Sequence, residues 1–244
     1  ELTQLRVNNR QSLLTQINNV QQSLADSKAV STFNIHAQKA YNLLGSGTAR
    51  DAFDLSQESE KTRERYGDGR FAQSCLLARR LVEADVSLVQ INWTRVVDDR
   101  KFENQGGWDT HKKHSQSLKE HLMPSMDQTF SALVEDLDQR GMLDETLVIM
   151  FSEFGHTPKF NGNAGRDHWG SVFSIALAGG GVHGGAVHGA TDKHAAHPIE
   201  GVVRPKDILA TVYHLMGYPP HTEVYDPLNR PIQISRGEVI KEIL

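Results

Sequence analysis

The run Thr146-Leu-Val-Ile-Met-Phe151 constrains this chain most, because it is apolar and shows no alternation of polar and apolar residues. Such a run suits a central strand covered on both faces, as in a parallel sheet. Val86-Ser-Leu-Val-Gln-Ile-Asn-Trp93 alternates and reads as a second strand, and Val172-Phe-Ser-Ile-Ala-Leu177 as a third. Between them fall segments of helical period. Leu76, Leu77 and Leu81 mark a helix over 71–83, and Leu118, Leu122, Met126, Phe130, Leu133 and Leu137 a long one over 115–140. In the long helix Pro124 kinks or restarts the winding, and Gly141 suits the position after its end. A third helix, from Pro205 to Met216, has Pro at its start and Gly217 past its end. Residues 221–244 read as a short hairpin and a final helix. Strands alternating with helices predict an α/β fold, a mainly parallel sheet with helices on both faces.

At its N-terminus the chain carries Leu13, Ile17, Val20 and Leu24 on one face of a helix, within a helical segment assigned to 1–35. The α/β domain is assigned to 36–244. There is no signal-peptide pattern, and the chain opens at Glu1 without Met, which leads to the expectation of a processed protein or a fragment of a longer one. No window approaches eighteen apolar residues, so no membrane span is expected. A formal charge of −4 without a Lys/Arg stripe argues against nucleic acid as a partner. Cys75 stands alone in an apolar helical stretch and reads as a buried thiol.

Of twelve histidines, nine lie between 111 and 197, and imidazole is the commonest metal ligand. Asp109 and His111 in Trp108-Asp-Thr-His111 are two apart, so on extended chain both side chains face one way and reach one cation. Alternatively Asp109 caps the helix that follows. His114 either joins that site or faces water. Glu153 ends the apolar strand, where open α/β sheets place ligands, or else pairs with Arg166. His156 and Thr157 follow a Gly turn whose amides suit an anion. Asp167-His168 sits in a polar loop, Asn161-Gly-Asn-Ala-Gly165, yet is followed by Trp169, whose burial would pin His168. There Asp167 serves as ligand or as the acceptor that orients an imidazole. A hydrogen-bonded histidine without metal is the alternative. The stretch Gly179-Gly-Gly-Val-His-Gly-Gly185 lacks both the P-loop Lys and the dinucleotide pattern. Neither Ser152 nor Ser171 stands in a nucleophile elbow.

Taken in order, Leu76-Leu-Ala-Arg-Arg-Leu-Val-Glu-Ala84, Gly107-Trp-Asp-Thr-His111, Asp136-Leu-Asp-Gln-Arg-Gly141, Glu145-Thr-Leu-Val-Ile149, Glu153-Phe-Gly155, Thr157-Pro158 and Gly165-Arg-Asp-His-Trp169 resemble one bacterial family. It is domain of unknown function 1501, and the resemblance spans about 40–235. That family is similar to the alkaline phosphatase and sulfatase superfamily, which also holds cofactor-independent phosphoglycerate mutases. The resemblance implies an alkaline phosphatase-like sheet, incomplete here, and export to the periplasm. It also implies Asp109, His111 and His168 on one divalent cation with Glu153 at or beside a second.

Three departures bear on that set. Phe154 stands where the superfamily has a ligand His, Asp109 and His111 are two apart instead of four, and His156 replaces the family's usual Arg. Residues 1–60 contain nothing like the superfamily's nucleophile segment, which leaves open whether the fragment alone is active. The expected function is a metal-dependent hydrolase of sulfate or phosphate esters, on a small-molecule or polysaccharide substrate. Zn²⁺ or Mn²⁺ suits mixed imidazole and carboxylate ligands better than Mg²⁺. Asp167, Arg166, His156, Thr157 and His114 are the surrounding or anion-binding residues. The rival expectation is an exported binding or structural module whose metal site has decayed.

Overall fold

A computed structural model describes residues 8–13, 51–93 and 107–244. Of the N-terminal helical segment, 8–13 is helical and the remainder of 1–35 lies outside the described residues. The chain divides into two compact units, 1–64 with 68–91, and 65–67 with 92–244.

Along the chain α1 (Glu60–Tyr66), whose last two residues belong to the second unit, is followed by α2 (Arg70–Glu83) in the first. Its buried positions are Ala72, Cys75, Leu76, Ala78 and Arg79, a stripe with helical spacing. Leu77 and Leu81, also expected inside, are half-buried. The buried Arg79 guanidinium binds Glu58 at 2.7 Å and Glu83 at 2.5 Å, so a charge in the stripe is paired. Burial pushes the Cys75 thiol up to about 12, making it an inert packing group. Val86–Trp93 lies outside every described sheet, and Leu88 is 79% exposed.

The long helix of the second unit is wound in three pieces: α3 (His114–Ser117), a π-turn (Leu118–Leu122) and α4 (Met123–Gln139). Pro124 lies in the first turn of α4. Its ring cannot tolerate the carbonyl four residues back, and the wider π-turn carries the helix past that point without ending it. At the other end Gly141 is left-handed (φ +69). Its N–H donates to Asp138 O at 2.9 Å and that of Met142 to Leu137 O at 2.8 Å, the paired bonds of a Schellman cap. The buried face of α4 carries Thr129, Ala132, Leu133, Asp136 and Leu137. The Tyr66 hydroxyl donates to Asp136 at 2.9 Å, and Thr129 donates to the Tyr66 carbonyl at 2.9 Å.

The sheet departs from the sequence expectation. The strands are β1 (Val148–Met150), β2 (Gly155–His156), β3 (His168–Trp169), β4 (Ala176–Ala178), β5 (Ala190–Thr191), β6 (Pro198–Glu200), β7 (Glu223–Tyr225) and β8 (Pro231–Gln233). They form four antiparallel two-stranded sheets, β1–β4, β2–β3, β5–β6 and β7–β8. A mainly parallel sheet covered on both faces by helices, alkaline phosphatase-like, is therefore overturned: the strands of the described residues form only short antiparallel pairs. The physical reason lies between β1 and β4. A parallel pair needs a crossover, usually a helix, and residues 151–175 contain loops and the β2–β3 pair instead. The chain therefore returns antiparallel, with Ile149 opposite Leu177. Lacking cover, β1 is half-buried throughout and Phe151 is 70% exposed.

The last helix, α5 (Pro205–Leu215), starts where the Arg204 N–H donates to Asp207 at 2.9 Å. β7 and β8 form the expected hairpin, while the expected final helix is only a 3₁₀ turn at Lys241–Ile243. Among the described residues no helix is long and apolar enough to cross a membrane.

Candidate metal centre

Two segments build the site. Residues 109–114 lead into α3, and 161–169 lie antiparallel along them. The His114 N–H donates to Ala164 O at 2.9 Å, the Lys113 N–H to Asn163 O at 3.1 Å and the Arg166 N–H to Thr110 O at 3.1 Å. Gly165 makes this approach feasible, because a Cβ there would stand 1.9 Å from the His111 carbonyl oxygen. On its other side the second segment pairs through β3 with β2, His168 opposite His156 and Trp169 opposite Gly155. The Trp169 indole donates to Ala196 O at 2.7 Å, which pins the end of β3 beside His168.

The α3 N-cap is Lys113, so Asp109 does not cap that helix. Thr110 is fully buried, its hydroxyl 2.5 Å from His114 Nδ1. Asp109 and His111, its neighbours on either side, instead come together outside. Asp109 Oδ1 lies 2.8 Å from His111 Nε2 and 2.8 Å from His168 Nε2, and the two Nε2 atoms are 3.2 Å apart. These three residues form a group able to hold a metal ion.

Behind His111 the Asp167 carboxylate accepts from Nδ1 at 2.8 Å. A carboxylate has no proton to give, so Nδ1 is the donor and Nε2 is left to face Asp109 and His168. Neutral His111 would therefore aim a lone pair at a carboxylate oxygen 2.8 Å away. Either a proton or a metal cation must occupy that space. The electrostatics agree: the Asp167 hydrogen bond, with the Asp109 charge, raises the His111 pKa above the ordinary imidazole value. Hydrogen bonds to His168 and to His111 hold the carboxyls of Asp109 and Asp167, respectively, below the usual range.

Asn161 organises this arrangement. Its Nδ2 donates to Asp167 Oδ1 at 3.0 Å and to the His111 carbonyl at 3.1 Å. Its Oδ1 accepts from the N–H groups of Asn163 at 2.9 Å and Gly165 at 3.0 Å. One side chain thus folds its own turn and ties both segments together. Thr157 braces the same loop, donating from its backbone N–H to Asp167 O at 2.8 Å and accepting at Oγ1 from the Asp167 N–H at 3.1 Å. That amide, expected to cradle an anion, is used within the loop.

The remaining expected residues sit around this centre. Glu153 is exposed, outside the three-residue group, and makes no ion pair with Arg166 among the described residues. Phe154 packs on His168, ring centroids 4.3 Å apart. His114 is buried, with its ring 5.2 Å from that of His156. Burial first, then neighbouring positive charge including Arg166, lowers the pKa of both below the ordinary value, although the Trp108 carbonyl opposes this at His156. The Arg166 guanidinium lies 4.8 Å over the Phe160 ring, and its buried Nε has no hydrogen-bond partner. The sequence alone does not single out Asn161 or Thr110. The Asn-Gly pair at 161–162 was the available signal, since Asn accepts from backbone N–H groups further along its own turn.

No curated protein and no solved structure matches the chain. The family described as "Protein of unknown function (DUF1501)" matches it over residues 1–244. The chain, with its Asp109, His111 and His168 group, therefore belongs to that family.

Proposed function

We propose that the chain is a metal-dependent hydrolase of phosphate or sulfate esters, with a divalent cation held by Asp109, His111 and His168. One observation carries this reading: three donor atoms converge on one point, and Asp167 backs His111 on the far side. Carboxylate–histidine–metal arrays have this form, in which the outer carboxylate fixes ring orientation and raises ligand basicity. Two imidazoles and a carboxylate suit Zn²⁺ or Mn²⁺. When bound, such an ion polarises an ester oxygen and lowers the pKa of water. Asp109, His111 and His168 would hold it, and Asp167 and Asn161 would keep His111 oriented.

The test is hydrolysis of p-nitrophenyl phosphate and p-nitrophenyl sulfate by the metal-stripped chain before and after Mn²⁺ or Zn²⁺ is restored. Turnover that returns with metal, but not in Asp109→Ala, is the expected result. No turnover by the metal-loaded chain on either ester would sink the hydrolase reading.

A second reading, a non-catalytic binding module, draws on Phe154, whose ring lies against His168 where the superfamily has a ligand. The Ser152 hydroxyl favours it too, since it donates to the Phe154 carbonyl at 2.8 Å instead of meeting a base. Metal binding without turnover is the outcome that reading expects.

A further inference from the structure

Asn161-Gly162 is the only Asn-Gly pair in the 244 residues, and it lies directly behind the metal-capable triad. We infer that this pair is a modification site: in the folded chain the Asn161 side-chain amide converts to a carboxyl group through a cyclic imide, and the conversion dismantles the support of His111. The second half of this inference rests on the metal reading above.

The chemistry needs only this chain and water. The Gly162 backbone nitrogen gives up its proton to hydroxide and bonds to Asn161 Cγ. The Cγ–Nδ2 bond then breaks, and Nδ2 leaves as ammonia with a proton drawn from solvent. Water opens the resulting imide at either of its carbonyls. One opening gives an aspartyl residue, the other an isoaspartyl residue whose backbone runs through the former side chain. No atom is oxidised or reduced. Glycine suits the attacking position because it has no Cβ to obstruct the approach.

Each group in that reaction is set for it. Gly162 is exposed, and among the described residues its N–H donates no hydrogen bond, so the attacking nitrogen is not committed elsewhere. Asn161 Oδ1 already accepts from the N–H groups of Asn163 at 2.9 Å and Gly165 at 3.0 Å. Two backbone donors on a carbonyl oxygen stabilise the negative charge that develops there when its carbon is attacked. On the other side Nδ2 faces the Asp167 carboxylate at 3.0 Å and the His111 carbonyl at 3.1 Å. Positive charge gained by the departing nitrogen therefore meets two acceptors.

The product undoes those contacts. A carboxylate has no N–H to give, so the bonds to Asp167 and to the His111 carbonyl are lost together. A negative charge then stands where Nδ2 stood, against the Asp167 carboxylate, and like charges so placed disfavour one another. The isoaspartyl form also adds a backbone carbon just before Gly165, where the two segments run so close that a Cβ would stand 1.9 Å from the His111 carbonyl oxygen. Either product loosens Asp167 behind His111.

Gly162 supplies the control. Its φ lies outside the left-handed region and a Cβ there would meet nothing within 4 Å. Gly162→Ala therefore keeps the loop while its methyl group obstructs the attack. Both metal-stripped chains would be held folded at mildly alkaline pH for days. Samples would be mapped by peptide mass spectrometry, assayed for isoaspartate and titrated with Mn²⁺ by calorimetry. The expected result is the amide-to-acid mass gain, with isoaspartate, at the peptide holding Asn161 in the unmodified chain alone. Its converted fraction should bind Mn²⁺ roughly 10–100-fold more weakly, as should Asn161→Asp from the outset. No conversion, or conversion only after unfolding in urea, would overturn the modification site. Equal conversion in Gly162→Ala would overturn the cyclic route, and conversion with unchanged affinity would overturn the link to the metal centre. A fresh chain that binds no Mn²⁺ would overturn the metal reading and that link, while mass alone still decides the modification.

Discussion

Because Asp167 accepts the Nδ1 proton of His111 at 2.8 Å, the pH behaviour of the site follows largely from one imidazole. The folded-state pKa of His111 is raised, chiefly by that bond and by Asp109. In the metal-free chain its stabilising contribution is complete below the unfolded value of about 6.5 and is lost as pH rises through the folded value. Thermal unfolding of the metal-free chain beside His111→Gln should therefore show a larger gap at acid than at alkaline pH. A gap that grows with pH would contradict this. Metal affinity should run the other way, rising with pH over the same window, because the ion needs the neutral ring. Asn161 belongs to the same scale. Replacing it with Ala removes the support of Asp167 and the tie to the His111 carbonyl, and metal affinity should fall roughly 10–100-fold. Calorimetric titration with Mn²⁺ decides it, and an unchanged affinity would show that Asp167 holds His111 unaided. The sequence shows Asp109 and His111 through residue type and spacing, and the family resemblance adds His168 to them. It does not show Asn161 or Thr110, whose partners lie across two chain segments.

At the level of elements, helices were far more legible than sheets. The periods over 71–83 and 205–216 are realised in α2 and α5, and the long pattern at 115–140 in α3, the π-turn and α4. Helical hydrogen bonds close within four residues, so local pattern carries most of the information. A strand depends on what lies beside it, and the run 146–151 is silent on that. With no crossover helix between β1 and β4, the apolar run became one strand of a small antiparallel pair. The bond from Tyr66 to the buried Asp136 tests how α4 is held. Tyr66→Phe removes this donor to the Asp136 carboxylate, while Arg140 still donates to Oδ1 at 2.9 Å. The loss should be about 1–3 kcal/mol, read as a lower urea midpoint. An unshifted midpoint would mean that Asp136 is satisfied without Tyr66.

On the scale of the whole molecule, membership of the DUF1501 family and a metal-capable triad stand beside a sheet arrangement that the apolar pattern did not foretell. The two fit together physically. The triad needs only the antiparallel lie of 161–169 along 109–114 and the short β2–β3 pair, so its geometry does not depend on a large parallel sheet. The account stands on the claim that this triad binds a divalent ion. Its most direct test is the metal content, by mass spectrometry, of the 244-residue chain stripped with chelator, reloaded with Mn²⁺ and dialysed, beside His168→Ala treated alike. About one equivalent per chain, absent from the variant, is predicted. No retained metal, or equal amounts in both proteins, would contradict the account.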